Sequence, residues 1–134
     1  MAVVIAVLMA MQASLPITTV VRGSSSQILE ARQVVVQNPE AWRALWKEHS
    51  AVPLPADVPD FARETIVAVF LGQRPTAGYA IDIASVTQQN GVFVVEYTER
   101  KPSSNTSTAQ VLTSPFQIIR IPRPSGPIVF RERS

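Results

Sequence analysis

Thr65-Ile66-Val67-Ala68-Val69-Phe70-Leu71 is a run of seven residues with no charged side chain on either alternating face. A strand wetted on one side alternates apolar with polar residues, because successive side chains point to opposite faces. An unbroken apolar run predicts a central strand buried on both sides, and it is too short for a helix of ordinary length. Such a strand needs neighbours to pair with and a layer above and below. The flanking sequence supplies them.

Downstream, Tyr79 to Val86 alternates, with Tyr79, Ile81 and Ile83 on one face and Asp82 on the other. Asn90-Gly91 follows, a strong short hairpin signal, and Val92 to Thr98 is the partner strand. Lys101 to Thr108 is polar and reads as a long hairpin tip or flap. Phe116 to Ile121 and Ile128 to Phe130 read as closing strands among Pro122, Pro124 and Pro127, residues that favour sheet edges. Upstream, Ile17 to Val21 is short and β-branched, Gly23-Ser24-Ser25-Ser26 follows as a turn, and Ile28 to Gln37 ends in the strand-like run Val34-Val35-Val36.

One helix interrupts this series. Asn38 suits the N-cap, Pro39 the first helical position and Glu40 the first turn. Trp42, Leu45, Trp46 and His49 share one face, which should anchor the helix on a sheet. Pro53, Pro55 and Pro59 turn the next segment into a semi-extended loop. The expected fold is mainly β (α+β): an antiparallel β-sandwich or open barrel of six to seven strands with one packed helix.

A chain of 134 residues fits one domain, and 46% hydrophobic content sustains a core without metals or disulfides. Cysteine is absent, which excludes thiol catalysis and thiolate metal sites. Ten of the twelve cations are arginines scattered from Arg22 to Arg133, and the net charge is only +2. Nucleic-acid binders concentrate their cations on one face, so no nucleic-acid partner is expected. Met1 to Ala13 is apolar and too short to span a bilayer as a helix. Its length matches the core of an export signal, with Ala13 before the cut; a buried first element is the alternative. Residues 1–14 are accordingly a signal peptide or apolar segment, and residues 15–134 a single exported domain, in the periplasm, the cell envelope or outside the cell. No stable membrane span is expected.

No constellation for catalysis emerges. His49, the single histidine, has no serine placed beside it by a recognisable motif, and the expectation is a helix-end residue that favours the dipole and packs on Trp46. Asp57, Asp60 and Glu64 are a loose oxygen set for calcium at best. Asp82, Glu96 and Glu99 read as solvated cross-strand charges. No catalytic residue, metal or cofactor is expected. The loop after the central strand stands out instead. Arg74, Pro75, Thr76, Gly78 and Tyr79 combine a stiff backbone with residue types found at binding hot spots, and make the candidate partner-binding site. A purely structural connection, with Tyr79 in the core, is the other reading of that loop.

The residues from about Gly23 to Phe130 resemble the C-terminal domain of the PrcB family. The resemblance lies in Ala41-Trp42 to Leu45-Trp46, Phe61, Ile66 to Gly72, Arg74-Pro75-Thr76-Ala77-Gly78-Tyr79, Leu112 to Phe116 and Ile119 to Pro122. Ala77 stands where relatives usually carry a second glycine. The resemblance implies a non-enzymatic accessory domain that associates with or stabilises an extracytoplasmic protease or envelope complex. The same six-residue loop is similar to one loop of chagasin-type cysteine-protease inhibitors, but their two other binding loops are missing. A direct protease inhibitor is therefore the alternative, with a small-molecule or calcium-binding domain behind it.

Overall fold

Strand β4 (Glu64–Phe70) lies between two partners, as its apolar run requires. In the computed structural model, which describes residues 13–105 and 107–134, seven further strands and one helix surround it. They are β1 (Ala13–Ser14), β2 (Thr18–Gly23), β3 (Arg32–Val36), α1 (Pro39–His49), β5 (Ala80–Gln89), β6 (Val92–Arg100), β7 (Phe116–Pro122) and β8 (Ile128–Arg133). Two four-stranded sheets result: a helix-side sheet ordered β2-β7-β4-β3 and an outer sheet ordered β1-β5-β6-β8. The expected export segment, residues 1–14, lies outside the described residues except for Ala13 and Ser14, which pair with Gln88 and Thr87.

Alternation along β4 divides the core in two. Ile66, Ala68 and Phe70 face α1, where Trp42, Leu45, Trp46, Phe116 and Ile118 fill one layer. Val67 and Val69 face the outer sheet and meet Ile81, Val95, Tyr97, Ile119 and Ile121. The helix-side sheet is therefore covered on both faces. Asn38 caps α1 by accepting the Ala41 N–H at 2.8 Å, and Ser50 closes its other end.

A mainly-β sandwich with one helix is what the sequence pattern implies, and three details differ from expectation. First, β6 and β8 pair in parallel. The chain leaves β6, crosses to β7 in the other sheet, and returns through Pro122–Pro127, so β8 enters from the same end as β6. Second, the described residues between Lys101 and Thr108 belong to that crossover, since β6 and β7 lie in different sheets and form no hairpin. Third, β7 is an interior strand, with only β8 at an edge; Pro122 ends β7 without having to donate within it. The strand beyond the expected seven is the two-residue β1.

The β5–β6 hairpin turns at Asn90 (φ 52°) and Gly91 (φ 81°), the left-handed pair that a two-residue turn of this kind needs. The other edge of β5 is closed in an unusual way. Arg22 of β2 donates to the Ile81 carbonyl at 2.6 Å, and Gln117 of β7 accepts the Ile83 N–H at 2.7 Å. Leu15 N–H reaches the Val86 carbonyl at 2.9 Å. Side chains of one sheet thus satisfy backbone groups on the edge of the other, which blunts that edge against foreign strands.

Candidate functional site

The loop Gly72–Tyr79 leaves β4 at the end of the sandwich where the Ser24–Ala31 and Lys101–Pro115 connections also gather. Backbone hydrogen bonds bind the three together. Gln73 N–H donates to Leu29 O at 3.0 Å, and Leu71 N–H to Pro115 O at 3.0 Å. Arg74 and Thr113 exchange both of their backbone bonds, at 2.7 and 3.0 Å, and Ala77 N–H donates to Ala109 O at 3.1 Å. The loop is stapled along most of its length.

Its side chains divide into those that hold it and those that face outward. Arg74 donates from Nε to Glu99 Oε1 at 2.7 Å and from Nη1 to the carbonyls of Leu71 and Gln73. Its guanidinium lies 6.0 Å from the centre of the half-buried Tyr79 ring, within range of a cation–π attraction. Thr76 contributes its carbonyl to the Thr113 hydroxyl at 2.9 Å. Gly78 sits at φ 96°, and a Cβ there would come within 2.8 Å of Pro102, so this position requires glycine. Ala77 does not occupy the left-handed region, so the departure from a second glycine carries no backbone strain. Pro75 is exposed. The two connections bonded to the loop carry three exposed apolar side chains, Leu29, Val111 and Leu112, the last 68% accessible. Sequence reasoning missed these, because exposure of single leucines and valines leaves no local signature.

The acidic residues weighed above as ligands or cross-strand charges go to arginines. Glu99 is spent on Arg74, Asp82 on Arg22 and Arg100, and Glu96 on Arg131 and Arg133. Asp57 and Glu64 both pair with Arg120, while Asp60 turns to Arg63 and accepts from Ala62 N–H. Among the described residues no group of three metal-ligating side chains converges.

His49 packs on Trp46 at the helix end as expected, but its other expected role, toward the helix dipole, is not what its surroundings favour. A serine does lie beside it: Ser26 Oγ is 2.8 Å from Nδ1, brought there from another part of the chain. Ile28 N–H donates to the same oxygen at 3.0 Å, which leaves the hydroxyl a proton and a second lone pair for Nδ1, and the ring tautomer sets which of the two donates. Trp46, Phe70 and Phe116 wall the ring at 5.0, 5.8 and 4.2 Å between centroids. Burial without a charged partner pushes the imidazole below its ordinary value, so it is neutral near pH 7 and adds nothing to the helix dipole. The Ser26–His49 bond fastens the end of α1 to the Gln27–Ile28 turn, whose Gln27 N–H also donates to the His49 carbonyl at 2.8 Å.

This burial has a measurable consequence. The unfolded ring regains a value of about 6.5 and so takes up its proton before the folded ring does. Stability is full above that pH and falls as the pH drops below it, until the folded ring also protonates. Asp82 and Glu96, held low chiefly by hydrogen bonds from Arg22 and Arg131, lose their contribution only at more acid pH. Denaturant melts against pH should show a slope just below 6.5 that a His49→Gln variant lacks. An unchanged slope would place its origin elsewhere.

Comparison with known proteins adds one result. No curated protein and no solved structure matches the chain. The family described as PrcB C-terminal does match, over residues 65–122, from the start of the central strand through the Arg74–Tyr79 loop to the end of β7. Over that stretch the chain is similar to the PrcB C-terminal family, the resemblance its own residues suggest.

Proposed function

We propose that this domain is an exported, non-enzymatic binding module that associates with or stabilises an extracytoplasmic protease or envelope complex. The observation that carries the reading is the family match, whose span takes in both the Arg74–Tyr79 loop and its backing strip Ala109–Pro115. The loop gives a partner a preformed surface. Arg74, Thr76, Gly78 and Tyr79 set its shape, and Pro75 with Leu112 presents the contact. Little entropy is lost on docking when a loop is already held by its own hydrogen bonds.

Full-length tagged protein should recover a protease from the envelope or secreted fractions of its host. Pro75→Glu and Leu112→Asp, both at exposed positions, should fold normally and lose that capture. Capture unchanged by both would remove the loop from the interface. The stapled loop also suits a second reading, a direct inhibitor that inserts into a protease cleft. Dose-dependent inhibition across a panel of papain-like and serine proteases would favour it, and no inhibition would end it.

A further inference from the structure

The outer sheet carries a second surface, made by other residues than the exposed Pro75 and Leu112. On its solvent face Asp82 of β5 and Glu96 of β6 each hold two arginines. Arg22 and Arg100 reach Asp82 at 2.7 and 2.9 Å, while Arg131 and Arg133 close on Glu96. Each carboxylate cancels one cation and leaves one in excess. The nearby Lys101 and Glu132 cancel one another, so the excess stands. The arginine side chains remain 44 to 64% accessible although tied at one edge. Guanidinium groups present several donors in a planar fork, and those turned away from the carboxylates stay free.

We propose that this arginine face docks an acidic protein segment, one with carboxylates at alternate positions of an extended chain. The inference rests on the protein-binding reading above and gives it a second contact. Asp82 pairs with Thr98, two positions along β6 from Glu96, so the two clusters are diagonal neighbours about 7 Å apart. Alternate residues of an extended segment repeat at about the same spacing. The arginines are held before the partner arrives, which lowers the cost of ordering them. All four cations are arginine, the residue suited to bidentate carboxylate binding. Val129 lies beside them, and a mixture of arginine with apolar side chains is the composition of a protein interface. A lipid surface is the weaker fit, because membrane-binding clusters bring four to eight unpaired cations.

The test uses the full chain and a fluorescent peptide alternating Glu with Thr, at low salt and again at about 0.15 M. Wild type should bind, more weakly at the higher salt. Arg100→Gln, Arg131→Gln and Arg133→Gln should each cost about five-fold in affinity. Arg32→Gln, on the helix-side sheet where it pairs with Glu48, should cost nothing. Asp82→Asn frees two arginines and should tighten binding, whereas Glu48→Gln adds the same charge elsewhere and should not. Thermal melts confirm folding in each variant. Affinity indifferent to these substitutions overturns the proposal. So does arginine-dependent binding to phosphatidylglycerol vesicles without binding to the peptide, which would identify a lipid surface. Neither failure touches capture through Pro75 and Leu112, so the two surfaces stand or fall separately.

Discussion

Trp42→Ala should destabilise the domain by about 3–5 kcal/mol, the range for emptying an aromatic site in a closed core. Trp42 is 1% accessible and packs 5.5 Å from Trp46 between α1 and the helix-side sheet. The ring brings a liability too: its buried Nε1 has no hydrogen-bond partner. An unpaired buried donor costs about 1–3 kcal/mol. Trp42→Phe removes that donor while keeping most of the apolar contact, so its net loss should be only about 1 kcal/mol. Urea melts of the two variants decide the point. Equal losses would show that the indole nitrogen is satisfied in solution.

Arg74→Met should cost about 2–3 kcal/mol, less than a fully buried pair because the arginine is 27% accessible. The loss comes from what is left behind. Glu99, 12% accessible, keeps a carboxylate without its cation, and the carbonyls of Leu71 and Gln73 lose a donor. Arg74→Lys should recover only part of the stability, since an ammonium cannot serve all three acceptors in the fork geometry. Adding Glu99→Gln to Arg74→Met should restore much of the deficit, because the stranded charge is gone. A double-mutant cycle in denaturant measures the coupling. Additive losses would mean that the pair is solvated and that Arg74 holds the loop through its carbonyl bonds alone.

The fold was legible wherever one strand's own pattern decides its environment. Thr65–Leu71 announced two-sided burial, and the spacing of Trp42, Leu45, Trp46 and His49 announced a helix seated on a sheet. Asn90-Gly91 fixed its hairpin for the same local reason. Pairing across the sandwich was not legible. The parallel β6–β8 match and the interior place of β7 depend on how connections cross between sheets, and no residue in those strands encodes it. The candidate loop was found from its proline, glycine and arginine, but its anchors were not. Glu99 and Thr113 lie far along the chain, and Ser26 meets His49 only through the tertiary fold.

The order of the strands also determines how this sandwich would carry load. Ala13 stands at the Asn90–Gly91 end of the outer sheet, and Arg133 at the opposite end, beside Thr98. Tension applied between those two points pulls β8 lengthwise along β6, so the six register pairs from Phe93–Ile128 to Thr98–Arg133 resist in shear. At the other end of the chain β2 is drawn lengthwise along β7 in the same way. Bonds loaded side by side share the force and yield together, whereas a peeled strand yields one bond at a time. A domain of this topology, tethered between two bodies that move apart, would act as a stiff mechanical link.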